Sequence, residues 1–549
     1  MAGSVENSMK REAIAPGMVR PHAIVSERDR VLLFTLLFLV MLGLGLRVSR
    51  LSEVGFAEDE INKVEAVRAY SQGDITPNTE HPMLMKLLML VSVSAAHEWN
   101  ARTDPDITEE ASLRFPNVLV GALTAIPIFL MTGALFDRRT ALLAASLWAS
   151  GINAITYNRI AKEDTLLVFF MLFAFYFYLR AKQLSGYDSS GKKWYYRLSG
   201  TSFGLMLASK YFPHYFGLNA LYHYLVRVRV QSPGEPKWRT PRFFYALMLV
   251  AFLIVNPAAL LPQTWQYLQT YTSGQLLKHS GYLFADHLYL NTMAGTPFWG
   301  TPIYFYALFL LIKIPLPVLA AFIIGLIECF RRWREPGRAF LLLMFLLWII
   351  PYSLMGGKWL RYTLSLLPFV YMIAAVGIAA LIRWCVAAFK KVDAERVKQV
   401  STALAVIIFV AWPALTAASN APHYAAYTNL LGGGRTGYFF PHDEFYDDGL
   451  REAIKFICDR APHGATIVHE TPGVVHYYLE QYGRNDLQTR VLSDPNFHLE
   501  DAKTPTYFIL QRGRTYFENV GKMEEVRARA QKVYDVSIKG ASAAEVFAL

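Results

Sequence analysis

Residues 31–48 read VLLFTLLFLVMLGLGLRV. An apolar run of this length reaches almost across a bilayer, whose core takes about 20 helical residues. Arg11, Arg20, Arg28 and Arg30 precede it, and no small-residue cleavage site closes it. The run therefore reads as a retained signal anchor, with residues 1–30 as a flexible cytoplasmic N-terminus. Working outward, ten further runs qualify: Ser112–Phe136, Thr140–Tyr157, Asp164–Lys182, Leu198–Ser209, Pro213–Val226, Phe243–Leu261, Pro302–Phe330, Ala339–Leu354, Tyr362–Trp384 and Ser401–Ala418. The fold class is a polytopic α-helical membrane protein of about eleven transmembrane helices. Hydrophobic residues make up 54% of the chain and charged residues 18%, against about 25% charged in soluble domains. That composition excludes a disordered chain, a collagen-like fibre, a coiled coil and one large soluble enzyme.

Charge sets the orientation. From Asn420 to the end there are 14 Lys/Arg and 17 Asp/Glu, which leaves 40 Lys/Arg and 26 Asp/Glu in the first 419 residues. The basic residues lie in short loops between apolar runs, which fits a positive-inside membrane protein better than nucleic-acid binding. The segment Met83–His97 is apolar but short. If it does not cross, the basic loops at 137–139, 180–197, 227–242, 331–338 and 383–398 all share the cytoplasmic side, so it is expected to lie on the outer membrane surface. The protein is then a multi-pass protein of the cell (inner) membrane with its C-terminal part outside. Cys329, Cys385 and Cys458 are far apart and imply no disulfide framework or metal cluster.

The expected organisation is a transmembrane module over 31–419, with a first outer loop at 49–111, and a separate outer α/β domain over 420–549. In that tail, Gly449–Arg460, Val474–Gln481 and Met523–Lys532 read as helices. Ala465–His469, Thr506–Leu510 and Val533–Ile538 read as strands.

On this topology the outer face collects the polar residues that could do chemistry. Glu58-Asp59-Glu60 follows the first span, and Glu80-His81-Pro82 opens the surface helix. Arg159, Lys162, Glu163 and Asp164 cap the third and fourth spans, and Lys210-Tyr211 occupies a tight turn. Lys278, His279, Asp286 and His287 lie in the Pro262–Gly300 loop, and Lys358 and Arg361 cap the ninth and tenth spans. Singly, such residues solvate loops or snorkel from span ends. Together they supply carboxylates to deprotonate a nucleophile and cations to hold a phosphate. Pro441–Asp448 is the densest acidic stretch and reads as a solvated loop, with a cation site as the lesser reading. Carboxylates and histidines of this face have the chemistry for a divalent ion, but no motif demands one, and Gly432-Gly433-Gly434 lacks the Lys-Ser/Thr of a nucleotide loop.

Asp59-Glu60 followed by Glu80-His81-Pro82-Met83-Leu84 resembles the DE…HPPL pattern of the protein O-mannosyltransferase superfamily. Arg114-Phe115-Pro116, Leu135–Arg139 and Asn158–Asp164 look like its next blocks, and Pro422-His423-Tyr424 with Asn429–Gly433 resembles the segment after its last span. The superfamily includes protein O-mannosyltransferases and bacterial transferases that place aminoarabinose on lipid A. The resemblance implies a GT-C fold, a polyprenyl-phosphate sugar as donor, and inverting transfer of a hexose or pentose to a protein, lipid or glycan hydroxyl. It implies Asp59 as catalytic carboxylate with Glu60 beside it. Glu80, His81, Arg159, Asp164, Lys210, Tyr211, Lys358, Arg361 and Tyr362 would bind donor or acceptor, with Lys210 and Arg361 at the donor phosphate. Three features depart from the pattern. Met83 replaces its second proline, His81 stands where the lipid A transferases carry lysine, and the Pro262–Gly300 loop is too short for a β-trefoil domain.

Two other classes compete: a transporter or flippase for a lipid-linked sugar, and a non-catalytic membrane scaffold. Transporters gather charge at mid-membrane and show internal repeats. Here the span centres are nearly free of charge. The Asp59-Glu60 and Arg159…Asp164 pairs argue against a scaffold.

Overall fold

A computed structural model describes residues 27–104, 106–184, 189–230, 240–272, 280–291, 300–389, 393–503 and 505–549. The basic residues Arg11 and Arg20, and Lys278 and His279 of the long loop, lie outside the described residues. Among the described residues six helices are long and apolar enough to cross a membrane: Asp29–Val48, Glu109–Leu135, Asp164–Gln183, Pro336–Leu354, Leu367–Ala388 and Glu395–Ser419. The remaining expected spans fall on helices that are shorter, broken or less apolar. Thr140–Tyr157 is two helices, Arg138–Ser150 and Ile152–Asn158, hinged at Gly151, where a Cβ would run into the Tyr371 hydroxyl. Pro302–Phe330 divides into Phe305–Lys313 and Leu316–Arg331 because Pro315 has no N–H to continue the first helix. The 198–226 pair forms longer helices than expected, Ser189–Ser209 and His214–Val230.

The first helix turns Val31, Leu33, Phe34, Leu37, Phe38 and Met41 outward, the pattern of a lipid-facing span. Its last turn is pinned by the fully buried Arg47, which donates to Asn158 Oδ1 at 3.0 Å and to the Ala149 and Trp148 carbonyls at 3.1 and 3.2 Å. Deeper in the bundle Leu316–Arg331 packs on Leu367–Ala388 through paired glycines. A Cβ on Gly325 would sit 1.9 Å from the Ile373 carbonyl, and one on Gly377 2.0 Å from that of Ala321. Only glycine permits that approach. Met83–His97 is the helix Leu84–Asn100, which buries Met85, Met89 and Val93 against its neighbours.

Two small sheets sit at one end of the bundle. The hairpin of β1 (Tyr282–Phe284) and β2 (His287–Tyr289) closes the long loop. Beyond the last span, β3 (Thr466–His469), β4 (Gln488–Val491), β5 (Thr506–Gln511), β6 (Gln531–Ile538) and β7 (Ala541–Ala548) form a five-stranded sheet in the order β4-β3-β5-β7-β6. β3 runs parallel to β4 and β5, while β7 is antiparallel to β5 and β6. The expected helices and strands of the tail are present. β4 and β7 were not expected: β4 is a short, largely exposed edge, and β7 is rich in alanine, which strands disfavour. The Lys539-Gly540 turn before β7 has positive φ at both residues, the two-residue hairpin geometry.

One apolar core joins the sheet to the first loop. Ile454, Ile457, Val474, Ile467, Ile509 and Val546 of the tail cluster with Phe56, Ile61, Val64, Met85 and Met89. The catalytic candidates lie along that junction.

Candidate active site

Asp59 stands in the first turn of the helix Glu58–Ser71, where unpaired backbone N–H groups favour carboxylates. Three groups from distant parts of the chain converge on it. Arg361 Nη1 and Lys162 Nζ each lie 2.7 Å from Asp59 Oδ2, and the Tyr446 hydroxyl donates to the same oxygen. The carboxylate keeps 31% of its surface exposed, against 17% for Arg361 and 9% for Lys162. Burial alone would raise the pKa of Asp59, but Arg361 and Lys162 hold it well below the usual carboxylate range. Burial and the nearby Arg361 bring the Lys162 ammonium down to about 8, against the pull of Asp59. Arg361 Nε is buried with no hydrogen-bond partner among the described residues.

The adjacent carboxylates face elsewhere. Glu60 is buried: Arg114 donates to it through Nε at 2.8 Å and Nη2 at 2.5 Å, and the backbone N–H groups of Ala57 and Ala161 add 3.0 and 2.9 Å bonds. It clamps the loop rather than facing the Asp59 cluster. Glu58 pairs with Arg514 at 2.7 Å. Residues one apart on a helix point in different directions, so Asp59-Glu60 is one half-buried acid at the cation cluster and one structural acid.

A second polar layer lies beside the first. Lys210 pairs with Asp164 at 2.7 Å, and its ammonium sits 4.6 Å from the Phe212 ring centroid and 5.3 Å from that of Tyr362. Tyr362 also lies under Arg361, at 5.7 Å, so it walls the gap between the two cations. Glu163 pairs with Lys63 at 2.5 Å, and His81 Nδ1 is 3.9 Å from it. Burial holds His81 well below its usual range despite Glu163, so its imidazole is neutral. Asn78 Nδ2 donates to Glu80, and Lys86 donates to the Asn78 and His81 carbonyls at 2.5 and 2.9 Å.

Three expected binding residues are tied into the frame. Arg159 donates to the carbonyls of Arg47, Ser49 and Arg50 at 2.6, 2.7 and 3.2 Å, closing the end of the first helix. Lys358 is fully buried and donates to the Thr301 carbonyl at 2.6 Å and to that of Met355. The Tyr211 hydroxyl accepts from Asn256 Nδ2 at 3.1 Å, and Asn256 Oδ1 accepts the Met83 N–H at 3.0 Å.

The acidic stretch Pro441–Asp448 is not a solvated loop. Asp443, Glu444, Asp447 and Asp448 are buried and partnered, by Tyr282, by Lys313 at 2.6 Å, by Arg514, and by His423 at 2.7 Å. Their acidity is spent inside the protein, and no group of three or more His, Cys, Asp or Glu able to hold a metal is present among the described residues. The stretch instead delivers Tyr446, in the left-handed region at φ 45°, onto Asp59. Of the three groups on Asp59, Tyr446 was not selected from the sequence, and Lys162 was named only among the polar residues of the outer face. Lys162 carried a signal, since it stands within the Arg159–Asp164 block; Tyr446 carried none.

Two segments of the chain match families of known proteins. Residues 106–260 match the dolichyl-phosphate-mannose-protein mannosyltransferase family, and residues 289–430 match the Alg9-like mannosyltransferase family. Among solved structures, the apo oligosaccharyltransferase of Archaeoglobus fulgidus is 12% identical, covers 87% of this chain and 69% of its own, and has a TM-score of 0.50. ArnT of Cupriavidus metallidurans, solved with undecaprenyl phosphate, is 13% identical over 94% of this chain and 97% of its own, with a TM-score of 0.47. No curated protein matches the sequence. The helical bundle and the two mannosyltransferase matches define a membrane-embedded glycosyltransferase. The fold is shared with the archaeal oligosaccharyltransferase, and both matched segments belong to mannosyltransferase families.

Proposed function

We propose that the protein moves a hexosyl or pentosyl group from polyprenyl phosphate to an acceptor hydroxyl on the outer face of the cell membrane, with Asp59 as the base. The observation that carries this reading is the pair of 2.7 Å contacts from Arg361 and Lys162 to Asp59. In the resting site both cations lean on the carboxylate and suppress its basicity. A donor phosphate competes for the same two cations, and Arg suits that role because its fork matches phosphate oxygens. The unpartnered Arg361 Nε offers a further N–H. As the cations turn to the phosphate, Asp59 regains proton affinity just when the sugar is in place. The acceptor oxygen then forms its bond to the anomeric carbon, and the carbon–oxygen bond to phosphate breaks with its electron pair going to the phosphate. The acceptor proton passes to Asp59. Lys162, Arg361 and Lys210 stabilise the departing phosphate dianion, and Tyr446 keeps the carboxylate aligned.

The acceptor, protein, lipid or glycan, binds opposite the phosphate, and His81 and Glu80 stand near enough to the Lys63–Glu163 layer to shape that side. The N-terminus is placed in the cytoplasm and the α/β layer of residues 420–549 outside, as the basic loops favour. A flippase reading fares less well, because the charged residues of the site gather at one end of the bundle, beside the sheet.

The test is consumption of radiolabelled polyprenyl-phosphate sugars by protein in nanodiscs. Wild type should consume one donor of a hexose and pentose panel, and Asp59→Asn should lose at least about 100-fold in rate, the scale of a positioned base, while keeping the wild-type melting curve. Full activity in Asp59→Asn removes Asp59 from this role.

A further inference from the structure

A cavity of about 620 Å³ opens between β7, the Lys539-Gly540 turn and the 434–438 loop. Arg435, Arg512, Arg527 and Lys539 line it, with Glu545 as its carboxylate. None of Asp59, Lys162, Arg361 or Tyr446 borders it. The charges do not cancel. Glu545 is held by Arg527 at 2.9 Å and by Lys532 at 2.8 Å, and Arg512 is offset by Asp286 at 2.7 Å. Arg435 rests 5.3 Å from the Tyr438 ring centroid and has no carboxylate partner among the described residues. Lys539 donates to Asn420, and it too has no carboxylate partner there. Burial, with Lys313 nearby, brings its ammonium down to about 8.

The position of the cavity selects its ligand. Asn420 caps the helix Glu395–Ser419, the last of the apolar helices, so Lys539 stands at the level where that helix leaves the hydrocarbon. Immediately before the 434–438 loop, Leu430 and Leu431 are 85% and 58% exposed. Two adjacent leucines offered outward beside a row of cations pair an apolar foot with a headgroup pocket. A volume of this size holds a glycerophosphate headgroup, and two backbone turns at Gly434 and Gly540 leave open space where a side chain would intrude.

We propose that this cavity binds the phosphate of an anionic membrane lipid between Arg435 and Lys539. The lipid tethers the sheet to the bilayer. The tether reaches the catalytic side through the chain itself: Arg512 holds the Gly437 carbonyl at 2.7 Å, and Arg514, two residues on, holds Asp447 beside Tyr446. The proposal stands independently of the transfer reaction.

The test counts lipid on the full chain by native mass spectrometry, in mixed micelles of phosphatidylglycerol and phosphatidylcholine. Wild type should retain one phosphatidylglycerol with about tenfold preference over phosphatidylcholine, and that preference should weaken in high salt. Arg435→Glu/Lys539→Glu should lose that one equivalent, while the charge-conserving Arg435→Lys/Lys539→Arg keeps it. Soluble glycerol phosphate should fail to displace the lipid at matched concentration. Retention of the equivalent in the charge-reversed variant overturns the site. Glycerol phosphate binding as tightly as the lipid overturns the membrane source in favour of a soluble anion. If charge reversal unfolds the chain, the wild type alone decides, since absence of a phosphatidylglycerol preference overturns the proposal.

Discussion

Replacing Lys162 with arginine, and separately with methionine, probes the cation whose charge state is poised closest to working pH. The wild-type ammonium titrates near 8. Because that constant lies below the ordinary lysine value, the cation is present below about pH 8 and lost above it. A reaction that needs it should therefore lose kcat/KM about tenfold per pH unit on the alkaline side. Arginine keeps its charge throughout this range, so Lys162→Arg should abolish that alkaline fall while retaining most activity at pH 7. Methionine removes the charge at every pH. Two unit charges 2.7 Å apart attract by roughly 6 kcal/mol at an effective dielectric of about 20. After desolvation a charge-assisted hydrogen bond keeps about 1.5–3 kcal/mol, or roughly 10- to 150-fold in rate. Lys162→Met should lose that factor at pH 7 and show no alkaline limb. Its acid limb should move to higher pH, since Asp59 loses one of the two cations that depress it. Initial rates between pH 5 and 9.5, with a saturating acceptor and limiting labelled donor, measure all three profiles. An alkaline limb that survives unchanged in Lys162→Arg refutes the reasoning.

Other substitutions separate the chemical residues from the frame. Arg361→Ala should weaken donor binding about tenfold or more without altering acceptor KM, read by titration of the donor in nanodiscs; Lys358→Met should lower thermal stability and leave donor affinity unchanged. Arg114→Ala strands Glu60 without its buried partner and should cost about 3–5 kcal/mol, seen as a lowered melting temperature. Gly325→Val should prevent the packing of Leu316–Arg331 on Leu367–Ala388, seen as loss of the monodisperse peak in size-exclusion chromatography.

Most of the helices were legible because an apolar run of membrane length has few other uses, and the tail elements followed from short amphipathic periods. The breaks at Gly151 and at Ile314-Pro315 were not, since hydropathy sums across a hinge without registering it. β7 was hidden by its alanines, although the Lys539-Gly540 turn announced a hairpin. In the site, Asp59 was legible as one of several carboxylates on one face. What set it apart from Glu60 is the direction each takes from the first helical turn, which brings one to Arg361 and the other to Arg114. Tyr446 was beyond reach of pattern reading. Its position depends on positive φ at Tyr446, Asp447 and Gly449 and on buried partners for a stretch whose composition reads as solvent-exposed.

The core shared by the first loop and the terminal sheet also has a consequence in time. Asp59 and Tyr446 are separated by 387 residues, and Phe56, Ile61 and Val64 pack on strands that include β7, the last in the chain. During synthesis the first loop is made early and waits, with its apolar side uncovered, while the helices between it and the sheet are inserted one after another. The carboxylate gains its hydroxyl partner only after the helices between them have been made. A chain released before the sheet is made carries Asp59, Lys162 and Arg361 yet leaves the first loop without its apolar cover.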